Sequence, residues 1–443
     1  MPYIDFHPNR IPLDDKWDVT VVGGGPAGCT AAAAAAREGA RTLLVESTGV
    51  LGGSGTSALV PAWCPFSDRE KIIYRGLAWK VFENARSGMA HVGKDWVDWT
   101  PIDAERLKTV YDSLVLDNGA EIVFHTTLSS LEKSDDGTVS AIVVTNKSGL
   151  SALKSKVYVD CTGDADLCAW AGAEFAKGNT TGKLMPATHC FTLTNVVEEA
   201  FRNIHGNGTL LESYYPDSPI YEIVRSGKYP LIDDPHMCCT KVGPGTVGFN
   251  AGHIVGVDNT DPETVSKALV IGRRAAAQYR DALAKFCPEA FGNAFLVSTA
   301  SVVGIRETRR IVGDYVLTLD DYLNRRTFDD EICRNSYFLD VHQSREEISA
   351  DQYPRVRYAP GESHGIPYRC LTPAGLKNVL VAGRSISCDR PVQGSVRVMP
   401  VCLAMGEGAG LAAAIAASGD KDVHKVDTNY LREKLKSNGA YLP

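Results

Sequence analysis

Three glycines in G-x-G-x-x-G spacing, Gly23, Gly25 and Gly28, stand between a short apolar run and an alanine-rich stretch, an order that leaves few folds open to the chain. The run from Asp18 to Val22 reads as a buried strand entering a tight turn. Ala31 to Ala36 read as a helix whose small side chains pack closely on a sheet, and Gly39 as its stop. RTLLVE then reads as a second strand ending at Glu46, about 20 residues past the glycines, where an acid accepts hydrogen bonds from an adenosine ribose. Glycines bring the backbone close to a pyrophosphate, and the helix N-terminus aims free N–H groups and its positive dipole end at it. The unit predicts an α/β, Rossmann-type dinucleotide-binding domain.

GPGTVG, with Gly243, Gly245 and Gly248, matches the same spacing and serves as a control. The residues that follow it, TVGFNAGHIVGV, carry β-formers and no helical pattern, so a turn and a strand are expected there.

With 443 residues the chain is long enough for two cores. Its net charge of −7 disfavours nucleic acid and anionic membranes as partners. The N-terminus lacks a signal-peptide layout and the apolar runs are interrupted by Gly, Pro or charge, so a cytoplasmic protein is expected. The 12 cysteines lie mostly in apolar stretches and include no Cys-x-x-Cys, while Cys238 and Cys239 are adjacent. Neither a disulfide framework nor a metal site is expected from that spacing.

Several features favour FAD over NAD. STGVLGGSGTSAL, after Glu46, is a second small-residue loop in which Ser54 and Thr56 can approach a cofactor extending beyond its adenosine half. GAEIVFHTTLSSLEKSDDGTVSAIVVTNKSG reads as three strands with a turn at Asp136–Gly137, and KSKVYVDCTGDADLCAWAGA as strand, turn and helix. Near the C-terminus NVLVAGRSIS reads as a buried strand opening on a glycine turn. VRVMPVCLAMGEGAGLAAAIAA reads as a helix with Pro400 in its first turn, and its Gly406, Gly408 and Gly410 require something packed against its backbone.

GGGPAG with Glu46, LGGSGT, DCTGDADL, GIRETRR, IPYRCL and AGRSIS to RVMP together resemble the FAD-dependent oxidoreductase family over nearly the whole chain. That family is distantly related to fumarate-reductase flavoproteins, the thiazole-synthase fold and the flavin subunit of heterodisulfide reductase. The resemblance implies a glutathione-reductase-like FAD domain, noncovalent FAD and an inserted, mainly β substrate lobe. The expected boundaries are a tail at 1–16, an FAD domain at 17–185 and 366–443, and a substrate lobe at 186–365.

Carried onto this chain, the resemblance places the cofactor at Gly23, Gly25, Pro26, Ala27 and Gly28, then at Glu46 and Ser47. It adds Gly53, Ser54 and Thr56 of the second loop, Thr127 and Leu128, and the turn Cys161, Thr162 and Gly163. The C-terminal contributions are Gly383 and Arg384, then Ser395, Val396 and Arg397. The chain departs from two relatives: it has no second dinucleotide unit and no cysteine cluster for an iron–sulfur relay.

The expected activity is hydride transfer between flavin and a small polar metabolite, in a direction the residues do not specify, with a separate electron donor or acceptor. A homo-oligomer is compatible with the sequence. The alternatives are a thiazole-synthase-like enzyme that consumes a bound dinucleotide and a flavin subunit of a multisubunit electron-transfer complex.

Candidates for the chemistry lie where the chain returns from the lobe. Among Arg306, Glu307, Arg309 and Arg310, an arginine can clamp a substrate carboxylate or hold negative charge on reduced flavin, with Arg306 favoured, against an ion-pair network with Glu307 and Asp314. His364 and Tyr368 are candidate acid–base residues. His189, His253 and His342 are weaker candidates, each in a strand-like stretch, and Cys388 is a packed thiol unless its surroundings are electropositive.

Overall fold

The computed structural model describes residues 10–205, 215–343 and 356–443 of the chain, with the side chains of 202–205 excepted. Its largest sheet has seven strands. Leu13–Val22, Thr42–Val45, Glu121–Val123, Gly149–Asp160 and Val379–Val381 form its parallel part. The long strand Gly149–Asp160 joins two systems: its last residues pair with Val379–Val381, and its first half pairs antiparallel with Val139–Asn146, which pairs with Thr127–Lys133. The first strand begins at Leu13, so part of the expected tail is sheet.

Helices Pro26–Arg37 and Met399–Ser418 lie together beside this sheet. A Cβ on Gly406 would stand 2.1 Å from the Ala27 carbonyl oxygen and one on Gly410 2.0 Å from that of Ala31. The match of 27 with 406 and 31 with 410 means that the helices run parallel, and Thr30 Oγ1 donates to the Leu403 carbonyl at 2.8 Å. Pro26–Arg37 is the partner that Gly406 and Gly410 require, while Gly408 faces the Ile332 side chain, whose Cδ1 lies 2.8 Å from where a Cβ would stand. Met399–Ser418 is long and apolar enough to cross a membrane, against the expectation that every apolar run is too interrupted, but 83% of its apolar window is buried within the protein.

A second core is built on the antiparallel sheet Phe295–Thr299, Phe191–Thr194, Thr246–Ala251 and Met237–Gly243, covered by Pro262–Phe286. Asp261 caps that helix through the Glu263 N–H, and Pro262 occupies its first turn. Phe191 and Phe249 stack with centroids 4.8 Å apart at its centre. GPGTVG forms the turn of the hairpin Met237–Gly243 and Thr246–Ala251.

This core draws on residues 191–296, a shorter stretch than the lobe drawn at 186–365. Leu317, Tyr322, Ile332, Tyr337 and Ile366 pack into the core of the dinucleotide domain, because Glu331–Asn335 pairs with His364–Pro367 and lies against helix Met399–Ser418. Residues 206–214 and 344–355 of that drawn lobe lie outside the described residues.

Candidate active site

The parallel strands deliver Val22, Val45 and Cys161 to one rim of a cavity of about 1270 Å³ that runs from the glycine turn to the second core. A single small-molecule pocket occupies about 300–1,000 Å³, so this one has room for an extended cofactor with a second molecule.

The glycine turn is shaped by contact. A Cβ on Gly23 would meet the Cys161 carbonyl oxygen at 2.4 Å, and one on Gly28 the Gly23 carbonyl oxygen at 1.8 Å. Gly25 differs: a Cβ there meets nothing within 4 Å, because it faces the cavity. Gly25 is also the N-cap of Pro26–Arg37, with no side chain occupying the first-turn donors. The first turn of Met399–Ser418 likewise has no side-chain cap, and Val398, Met399 and Cys402 line the same cavity. Two positive helix ends therefore open on one space.

Glu46 holds the surrounding loops, its Oε2 accepting the Gly24 N–H at 2.7 Å and its Oε1 the Thr48 N–H at 2.7 Å. Arg384 donates to Asp164 Oδ1 at 2.7 Å, and its Nε is buried without a hydrogen bond. Arg397 donates to Asp340 Oδ2 at 3.0 Å, and its Nε is likewise orphaned. Burial pushes the Asp164 carboxyl up, but Arg384 and the bonds from Thr308 and Asn259 outweigh it and hold it below the usual range.

A family model for FAD dependent oxidoreductases matches residues 18–435. The chain belongs to the FAD-dependent oxidoreductase family. Among solved structures it is similar to a geranylgeranyl bacteriochlorophyll reductase-like protein from Thermoplasma acidophilum, with 12% identity and a TM-score of 0.45 over 97% of this chain and 83% of that one. It is also similar to the aromatic hydroxylase CabE of angucycline biosynthesis, with 13% identity and a TM-score of 0.48 over 96% and 69%. The flavin-dependent brominase Bmp2 gives 11% identity and a TM-score of 0.47 over 95% and 83%.

The residues of this FAD-dependent oxidoreductase fit its cofactor: a cradle that a Gly25 Cβ would fill, two uncapped helix ends, and two orphaned guanidinium nitrogens. Gly23, Gly25, Pro26 and Ala27 line the cavity, as do Glu46, Ser47, Gly53, Ser54, Thr127 and Leu128. So do Cys161, Thr162, Gly163, Gly383, Arg384 and Arg397. Four of the expected positions lie behind the wall instead. Gly28 packs on Gly23, Thr56 donates to the Leu51 carbonyl, Ser395 donates to the Tyr337 carbonyl, and Val396 is fully buried. Each keeps a lining segment in position.

Of the chemistry candidates, Arg306 lines the cavity. Its Nη1 donates to the Pro186 carbonyl at 2.7 Å and Thr188 Oγ1 at 2.8 Å, leaving Nη2 and Nε without a protein acceptor among the described residues. Burial, and then Arg397, lowers its pKa to about 10, which still leaves it charged at neutral pH. The rest of GIRETRR is an ion-pair network: Glu307 takes Arg310 and Arg390, and Arg309 takes Asp166 at 2.7 Å. Asp314 joins His424 at 2.6 Å instead.

His364 and Tyr368 are brought elsewhere. His364 is fully buried against Tyr358, and Tyr368 donates to the Val423 carbonyl at 2.8 Å, so neither reaches the cavity wall. His189 is buried under helix Pro262–Phe286, beside Gly272. Cys388 is buried and burial pushes its thiol up; Cys64, Cys190 and Cys402, which do line the cavity, are pushed up to about 12 by the same cause. These thiols are protonated at neutral pH and are poor nucleophiles.

His236 and His342 line the cavity beside Arg306, with His253 directly behind them. The Gly252 N–H bonds to the His236 carbonyl at 2.7 Å, which sets His236 and His253 side by side with centroids 4.2 Å apart. Burial and the Arg306 charge press His342 down to about 4, and burial with the neighbouring His342 and His253 keeps His236 well below the usual histidine range. His236 escaped the sequence reading because Pro235 and Met237 beside it carry no chemical signal.

Proposed function

We propose that the protein transfers a hydride between FAD and a small polar metabolite bearing an anionic group, bound in the part of the cavity between Arg306 and the histidines. The observation that carries this reading is the continuity of one cavity from the glycine cradle to a charged guanidinium with unspent donors. Bound FAD supplies a two-electron carrier that accepts or gives a hydride. Arg306 would fix the substrate's carboxylate or similar anion through Nη2 and Nε, a charge-assisted contact that orients the rest of the molecule. Trp99, Tyr337 and Phe338 line the same end and would cover its apolar part and exclude water.

The test is an anaerobic screen of small hydroxy acids, amino acids and unsaturated acids beside their neutral alcohol, amine and amide counterparts, following the flavin spectrum; unsaturated compounds are offered to the reduced protein. Bleaching by a hydroxy or amino acid, or reoxidation by an unsaturated acid, supports the reading and fixes the direction. Turnover only of neutral molecules that lack an anionic group overturns it. Recovery of a bound adenine nucleotide without flavin would favour the dinucleotide-consuming alternative.

A further inference from the structure

His236, His253 and His342 come from two ends of a hairpin and from a segment some 90 residues later, yet one ring nitrogen from each lies within 4.8 Å of the other two. His253 Nε2 and His342 Nδ1 are 2.8 Å apart. Their other nitrogens each face a carboxylate: His253 Nδ1 is 3.3 Å from Asp234 Oδ2, and His342 Nε2 is 3.3 Å from Asp340 Oδ1. The result is a chain of four groups, carboxylate, imidazole, imidazole, carboxylate, with three gaps between them.

Two neutral imidazoles carry one N–H each, and each of the three gaps needs one hydrogen. If both rings donate outward to Asp234 and Asp340, which the carboxylates favour, two nitrogen lone pairs face each other at 2.8 Å. A cation bonded to both lone pairs, set off the line that joins them because a metal–nitrogen bond is about 2.0–2.1 Å, relieves that opposition. His236 brings a third imidazole to the same point, and its Nδ1 is buried without a hydrogen bond. Imidazoles whose far nitrogens are held by carboxylates form the usual surroundings of a bound transition metal, because the carboxylate fixes ring orientation and tautomer and raises ligand basicity.

We propose that His236, His253 and His342 bind one divalent cation of the zinc or iron class, with Asp234 and Asp340 orienting two of the three rings. Three imidazoles select such a metal over magnesium or calcium, which prefer oxygen ligands. Three protein ligands leave a coordination position for water or substrate, as catalytic rather than structural sites do. His236 and His342 line the cavity, so that position faces the chamber beside Arg306. The cation would there polarise a substrate oxygen while Arg306 holds the anionic end. This last role rests on the function proposed above; metal binding does not.

The experiment takes the full-length holoprotein, strips it with a chelator, and titrates it with Zn²⁺ alone and with Co²⁺ alone, reading bound metal by elemental analysis and Co²⁺ by its ligand-field bands to the red of the flavin. One equivalent of tightly held cation is expected. His253→Ala and His236→Asn should each lose it while keeping flavin, and Asp234→Asn should weaken it about 10- to 100-fold. His364→Gln, which alters a histidine outside the cluster, should bind as the wild type does. Wild-type protein that binds no more cation than His253→Ala overturns the proposal, and a shared proton then fills the middle gap. Binding that survives in both His253→Ala and His236→Asn overturns it as well. Metal content is read without substrate, so failure of the substrate screen leaves this result standing, and the converse holds.

Discussion

Gly406 is pressed so closely on Ala27 that a Cβ would stand 2.1 Å from the Ala27 carbonyl oxygen, and this contact aligns the two helices whose N-termini open on the cofactor cavity. Gly406→Val should therefore act on stability and on the cofactor together. Overpacking of this kind costs about 1–3 kcal/mol, and here the atom that must move is backbone. The variant is expected to melt at a lower temperature and to purify with much less flavin; wild-type melting would show that the helices can part at no cost.

Gly25→Val separates the two effects. The backbone at Gly25, φ −71° and ψ −175°, suits any residue, and a Cβ there meets no protein atom within 4 Å. The apo-protein should fold with unchanged stability, while its side chain occupies the space a pyrophosphate needs. Colourless protein with the circular dichroism and melting temperature of the stripped wild type is expected. Stoichiometric FAD in this variant would place the cofactor elsewhere.

His364→Gln should change the acid limb of the stability curve. Tyr358 Oη gives its proton to the Tyr322 carbonyl at 2.6 Å, so His364 Nδ1, 2.9 Å from that oxygen, is the N–H side, and Nε2 is buried without a partner. Burial, then the Arg334 charge, lowers the His364 pKa from 6.5 to about 3. A histidine kept neutral in the fold but free to protonate when unfolded contributes stability above pH 6.5 that is lost as pH falls towards 3. Its slope is about 1.4 kcal/mol per pH unit within that window. Urea titrations between those limits should show a shallower fall for the variant, with flavin binding intact at neutral pH.

Arg306→Ala should leave the protein yellow and impair only its encounter with an anionic substrate. Losing a charge-assisted hydrogen bond costs about 1.5–3 kcal/mol, which is about a 10- to 100-fold rise in the KM of whichever anion bleaches the flavin. Arg306→Lys should recover part of that loss, since the charge returns without the planar fork. An unchanged KM in both variants would remove Arg306 from the substrate site.

The dinucleotide unit was legible because its signals are local. Strand, glycine turn, helix, second strand and Glu46 occupy one short stretch, and a positive φ at Gly23 or a close approach at Gly28 is written in the residue type itself. Local context was also enough to set GPGTVG aside, where Thr246–Ala251 continues as strand. The histidine cluster was not legible. His253 and His342 each stand in a strand-like context that suits a packed imidazole, and only hairpin pairing plus the return of the chain at Asp340 bring them to His236. His364 and Tyr368 show the opposite failure: residue type and position favoured chemistry, but pairing of Glu331–Asn335 with His364–Pro367 draws them into the interior.

The parallel helix pair joins residues 26–37 to residues 399–418, nearly the full length of the chain apart. During synthesis the first half of the cradle leaves the ribosome early; its Ala33 and Ala34 meet Leu77 soon after, whereas the backbone at Ala27 and Ala31 has no glycine partner until Met399–Ser418 emerges. A product that stops short of residue 399 lacks one of the two helix ends at the cavity, and with it half of the cradle.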